Sequence, residues 1–147
     1  MALSADVFYE TTVTDVNAFP LTNAVTCYAG SLIGLDDSTG YAVLWADTAN
    51  YIFAGIALKG ATGDTSASPV VNVNVNCGGL ILKKVSVTGV SAITNVGDKV
   101  YATDDNTLTT SATSNVQEIG IISDWYSSTT CDVQLYSLAE YQGVTNS

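Results

Sequence analysis

The sequence predicts an all-β protein: a compact β-sandwich or barrel of short antiparallel strands, built from two similar β units and carrying an extended N-terminal arm. Three observations lead there. Apolar and polar residues alternate over short runs, most cleanly from Val71 through Asn72, Val73, Asn74, Val75 and Asn76 to Cys77, which is the period of a strand with one buried face. Turn-forming clusters separate the runs, at Asp36 to Gly40, Gly60 to Ser68, Asp104 to Asn106 and Ser127 to Thr130. Nowhere does a helical period hold for three turns.

The chain has 147 residues, 47% hydrophobic and only 12% charged. At this length folding buries roughly 68–70% of the unfolded surface, enough for a core without metals or disulfides. One β domain is expected over 23–138, with the arm at 1–22 and a polar, frayed tail at 139–147. No apolar run approaches the ~20 residues of a membrane helix. Four lysines, no arginine and no histidine leave a formal charge of -10. Counterion release by basic side chains drives nucleic-acid binding, so neither nucleic acid nor an anionic membrane is an expected partner.

Taken in order, residues 1–22 hold no glycine and follow no strict period, and Pro20 biases Phe19 toward an extended backbone. The segment reads either as an extended arm, with a short strand at 7–13, or as the first strand of the sheet. Residues 24–35 alternate, with bends at Gly30 and Gly34. The turn at 36–40 leads to a return strand at 41–45, and 51–58 is a strongly apolar strand. After the small-residue loop at 60–68, the asparagine-faced strand at 71–77 has a firmly set register, because a one-residue slip would bury three amides. Its uncharged amide row is either a plain wet face or a contact for another protein. Alternation then fails at Lys83-Lys84, which predicts a bulge or a change of strand partner. A turn and short strand at 88–95 lead to a hairpin at 97–109. Residues 116–126 give a long strand, and 131–136 complete the last hairpin. Gly30 to Leu35 followed by the 36–40 turn is echoed by Gly97 to Ala102 followed by Asp104 to Asn106. Each copy precedes a strand containing Gly-Ile, at Gly55-Ile56 and Gly120-Ile121.

No residue reads as catalytic. Asp36-Asp37 and Asp104-Asp105, with Asp64, Asp98 and Glu118, offer paired carboxylates of the kind that hydrolyse glycosides. However, both pairs fall in hairpin turns, where aspartate binds nearby backbone, and that role accounts for them. The serines and threonines lack a histidine to activate them, and the loop at 60–68 lacks a phosphate-binding GK[ST] ending. Cys27, Cys77 and Cys131 are widely spaced, so no zinc site and no cofactor is expected. They read as inward-facing free thiols, as suits a reducing cytoplasm. The N-terminus shows no pattern of a secretion signal.

Three segments, GSLIGLDD, FAGIALKGA and GDKVYATDDNTLT, together with the closing EIGIISDW and CDVQL, resemble the capsid decoration (cement) proteins of tailed bacteriophages. The likeness spans about residues 24–136. It implies a non-enzymatic virion protein, made in the host cytoplasm, that clips onto the outside of an expanded head and braces it. The implied partners are the major capsid protein and, as a homotrimer, further copies of the chain. The implied capsid-binding arm carries Phe8, Tyr9, Val13 and Phe19. Trp45, Tyr51, Asn72, Asn74, Asn76, Lys83, Lys84, Trp125 and Tyr126 are candidate subunit or capsid contacts. The alternative reading is a carbohydrate-binding or adhesive β-sandwich whose exposed aromatics stack on sugars.

Overall fold

The computed structural model describes residues 15–145, and the expected anchors Phe8, Tyr9 and Val13 lie outside them. Twelve strands are present among these residues: β1 (Val16–Pro20), β2 (Thr26–Cys27), β3 (Leu32–Asp36), β4 (Ala42–Leu44), β5 (Tyr51–Ala57), β6 (Ala61–Thr62), β7 (Asn72–Asn76), β8 (Ile81–Ser86), β9 (Lys99–Ala102), β10 (Leu108–Thr109), β11 (Glu118–Ser127) and β12 (Thr130–Leu135). One short helix, α1 (Leu138–Thr145), closes the described chain.

Two five-stranded sheets account for ten of the strands, in the orders β1-β7-β5-β3-β4 and β8-β12-β11-β9-β10. Numbered within its own half, each sheet runs first, fifth, fourth, second, third. The match extends to the closure. An isolated parallel bridge joins Leu21, just after β1, to Ala42 in β4, and another joins Thr88, just after β8, to Thr109 in β10. Each sheet therefore curls until its first strand meets its third, part-way to a barrel. The echo in the sequence is a duplicated topology, and the two small β units it predicts are present.

The recurring Gly-Ile pairs have a common structural cause. Gly55 lies beside β7, where an added Cβ would collide with the Asn76 carbonyl. Gly120 lies beside β12, where a Cβ would collide with the Gln134 carbonyl. In both halves the fourth strand carries a glycine because the fifth strand's backbone passes too close for any side chain.

Burial follows from this arrangement. Ile33, Ala54, Val73 and Val75 fill the first unit, while Leu32, Trp45 and Phe53 face the other way and join Val100, Ile119, Ile122, Val133 and Leu135 of the second. The middle strands of the first sheet are thus covered on both faces, which explains the near-continuous apolar runs at 32–35 and 51–57. The seam is also stitched by polar bonds. The Leu32 amide donates to the Asp105 carbonyl at 2.9 Å, and the Asp47 carboxylate accepts from the Ser114 and Asn115 amides at 2.9 and 3.1 Å.

Four expectations are corrected. Residues 16–20 are not arm but a strand, laddered antiparallel to β7 from Val16↔Asn76 to Pro20↔Asn72. The 3₁₀ turn Ile93–Asn95 takes the place of the short strand expected near there. The tail is not frayed from 139. Ser137 and Glu140 form a reciprocal capping box, with the Ser137 amide donating to Glu140 Oε1 at 2.9 Å and the Glu140 amide donating to Ser137 Oγ at 3.1 Å. This start lets α1 press Tyr141 into the seam, edge-on to Trp45 and Phe53 with ring centroids 6.2 and 6.3 Å apart. Finally, Cys27 and Cys131 are buried, but Cys77 is only half-buried, at the end of its strand.

Candidate interface

The most distinctive surface is built by β1 and β7. Directly opposed residues of an antiparallel pair share one side of the sheet, so Val16, Ala18 and Pro20 stand beside Asn76, Asn74 and Asn72. Leu58, whose amide donates to the Asn74 carbonyl at 2.9 Å, continues the same side onto the end of β5 and is 48% exposed. These seven side chains carry no charge, on a chain of net charge -10. Asn72 and Asn74 are exposed, whereas Asn76 is half-buried and its side-chain oxygen accepts from the Gly78 amide at 3.2 Å. Phe19 points to the opposite side and packs half-buried against the core of the first unit.

Among the described residues none pairs with the outer edge of β1 along most of its length. Asp15, Asn17, Phe19 and Leu21 alternate in facing β7, as the bonds from the Cys77 amide to the Asp15 carbonyl and from the Leu21 amide to the Val71 carbonyl establish. Val16, Ala18 and Pro20 therefore turn their main-chain groups outward. Farther on, the bridge from Leu21 to Ala42 forms and Thr22 reaches the Ala42 carbonyl, 3.0 Å from its amide and 2.8 Å from its hydroxyl. The Ala18 amide is met by the neighbouring Asn17 side chain at 3.1 Å.

β8 is the equivalent strand of the second unit, and it is built differently. Lys83 and Lys84 together stand opposite the single residue Asp132, because pairing shifts between Val85↔Cys131 and Leu82↔Val133. Here the break in alternation marks a bulge, with Lys84 in the left-handed region at φ 53. Asp132 organises it. Its side chain is only 2% exposed and receives Lys83 Nζ at 2.9 Å, the Lys84 amide at 2.9 Å and the Tyr126 hydroxyl at 2.8 Å. Burial pushes this carboxyl up, but those hydrogen bonds outweigh it and hold it below the usual carboxylate range. The hydrogen bond to Asp132 raises both Lys83 and Tyr126. Lys84 Nζ lies 5.4 Å from the centre of the Tyr126 ring. The side chains of Lys83, Lys84 and Tyr126 are thus engaged in holding the bulge.

The aromatic candidates divide by burial. Trp45 is corrected from surface contact to core. It is 1% exposed, and its indole N–H donates to the Ala102 carbonyl at 3.0 Å across the seam. Tyr51 is half-buried, and its carbonyl accepts from Tyr141 Oη at 3.2 Å and Gln117 Nε2 at 3.1 Å. Trp125 is half-buried, with its indole N–H on the Ser128 carbonyl at 3.0 Å. Among the described residues the most exposed aromatic is one that alternation did not single out, Tyr28 at 70%.

The first aspartate of each pair, and Asp64 likewise, acts as turn chemistry. Asp36 accepts from the Ser38 hydroxyl at 2.6 Å and amide at 2.9 Å, which lowers its pKa. Asp64 is lowered in the same way by Ser66. Asp104 accepts from the Asn106 and Thr107 amides at 2.9 and 2.8 Å and is likewise lowered. Glu118 is buried between Tyr136 Oη at 3.1 Å and Lys99 Nζ at 3.6 Å. Burial, with Glu118 beside it, pushes the Tyr136 hydroxyl up to about 12.

Among the described residues no three His, Cys, Asp or Glu side chains are grouped to hold a metal, and no helix is long and apolar enough to cross a membrane. Compared with known proteins, the chain matches no family model, no curated relative and no solved structure.

Proposed function

We propose that this chain is a structural virion protein that binds the outer surface of a phage head and stabilises it, without enzymatic activity. The observation that carries the reading is the charge-free β1–β7 face, whose outer edge no described residue pairs along most of β1 and which follows in sequence on segment 1–14 with its Phe8 and Tyr9. A surface of amides and small apolar groups suits a partner met through main-chain bonds and shape rather than through charge. The rigid, doubled β scaffold behind it suits a brace. Under this reading the major capsid protein is the partner, and copies of the chain assemble as trimers around it.

The test is co-sedimentation with expanded empty heads of the phage that encodes the chain. Deleting residues 2–14 leaves β1 in place and is expected to weaken binding at least about tenfold, the equivalent of 1.4 kcal/mol. Ala18→Lys, at an exposed edge position, is expected to weaken binding while leaving the melting temperature within about 2 °C, as surface changes do. Full binding by both variants, or none by the unaltered chain, would remove the proposal.

A further inference from the structure

A hollow of about 500 Å³ opens at the seam between the two units, lined by Tyr28, Ala29, Gly30, Ser31, Asp105 and Asn106. Both walls are hydrogen-bonded. On one side the Tyr28 amide donates to Ser31 Oγ at 3.1 Å, the Tyr28 carbonyl accepts from the Ser31 amide at 3.0 Å, and the Gly30 amide donates to the Ala57 carbonyl at 2.9 Å. On the other, the Asp105 carbonyl holds the Leu32 amide at 2.9 Å, while the Asp104 carboxylate ties down the Asn106 and Thr107 amides. Asp104 is therefore consumed by the turn. The side chains of Asp105 and Asn106 make no hydrogen bond to any described residue. Tyr28, 70% exposed on a tight turn, thus lines one hollow with a carboxylate and a carboxamide that the described residues leave without a hydrogen bond.

We infer that this hollow binds a neutral saccharide, with Tyr28 as the stacking platform and Asp105 and Asn106 as partners for the sugar hydroxyls. A pyranose presents a C–H face that packs on a tyrosine ring and an equatorial belt of hydroxyls. A carboxylate accepts from two vicinal hydroxyls, and a carboxamide both donates and accepts. The volume falls in the range of small-ligand pockets, roughly 300–1,000 Å³. No cation lines the hollow, so sialylated or phosphorylated glycans are disfavoured by Asp105 and by the net charge of -10. The site uses none of the residues of the β1–β7 face, so its failure would leave the capsid proposal standing.

Amide-resolved NMR titrations of the full chain with maltose, cellobiose and N,N′-diacetylchitobiose, each to about 20 mM, test this, since weak sugar sites lie in the millimolar range. At least one sugar is expected to produce saturable shifts centred on Tyr28, Gly30, Asp105 and Asn106. Tyr28→Ala and Asp105→Ala are expected to weaken it about tenfold or more, while Tyr28→Phe, which keeps the ring face, stays within about threefold. Absence of saturable shifts at these residues with all three sugars would overturn the inference. So would binding indifferent to Tyr28→Ala, or equal shifts from choline chloride, which would mark a cation site.

Discussion

Replacing Trp45 with alanine tests whether the two units fold as one body. The indole is 1% exposed, meets Phe53 edge-on with ring centroids 5.6 Å apart, meets Tyr141 at 6.2 Å, and donates to the Ala102 carbonyl in the second unit. Large-to-small replacement of a buried tryptophan costs about 3–5 kcal/mol through lost transfer energy and the cavity left behind. The buried Ala102 carbonyl, left without its donor, adds about 1–3 kcal/mol. A loss near 5 kcal/mol is therefore expected, a large share of the ~5–15 kcal/mol that holds a domain of this size together. At about 2–4 °C per kcal/mol the melting temperature falls by roughly 10–20 °C.

The assay has a built-in reporter. The chain has two tryptophans, so the variant retains only Trp125, on β11 of the second unit. Its fluorescence follows that unit, while far-UV circular dichroism follows both. The expected result is one transition, coincident by the two probes and shifted down as a whole. Trp45→Phe, which keeps a ring but loses the N–H donor, should fall between the two. Separate transitions, with Trp125 melting at the unaltered temperature, would refute a shared core. A loss below about 1 kcal/mol would refute the packing argument itself.

The duplicated glycines make a paired prediction. Gly55→Ala and Gly120→Ala should each destabilise by about 3 kcal/mol or more by urea denaturation, because backbone carbonyls occupy the Cβ positions. Gly143→Ala, with nothing within 4 Å of its Cβ position in α1, should be neutral or gain up to about 1 kcal/mol. Equal, small effects at all three sites would disprove the close-approach explanation. Acid provides the other test. Asp36, Asp64, Asp104 and Asp132 are all lowered in the fold, so their stabilisation is present above the unfolded carboxylate value and is lost as pH falls through the lower folded values. The melting temperature should therefore drop below about pH 4, and less steeply in Asp132→Asn. An unchanged slope in that variant would show that the buried carboxylate does not contribute.

Alternation read the sequence well wherever a strand has one wet face. From 71 to 77 it placed Val73 and Val75 inward and Asn72 and Asn74 outward, as observed. It also flagged Lys83-Lys84, where two residues stand opposite Asp132. It failed for physical reasons elsewhere. Trp45 follows a strand whose sheet is covered on both sides, so strand parity carries no information about exposure there. α1 is eight residues long, too short for a period to register. Its signal was the box Ser137-Leu138-Ala139-Glu140, which the expected boundary between β domain and polar tail at 138/139 cut in two. β1 shows no alternation because Asn17 shares a side with the half-buried Phe19, while the exposed side carries the apolar Val16, Ala18 and Pro20. Tyr28 gave no signal, since only the placement of the second unit's turn beside it makes a hollow.

The two halves share a strand order but not an edge, and this difference bears on how the molecule is used. Thr22 and Thr88 occupy equivalent places, each reaching the third strand of its own sheet. Four residues before them stand Ala18 and Lys84. In the second unit the bulge, the two ammonium groups and the bond from the Lys84 amide to Asp132 make β8 a poor template for another strand. In the first unit the ladder runs without a shift from Val16 to Pro20, and none of those five residues is charged. An open edge is a standing risk of unwanted pairing, so its retention in one copy and its closure in the other call for a reason. Occupation of the β1 edge by a partner supplies one, and Ala18→Lys tests it by giving the first unit the kind of guard that the second already has.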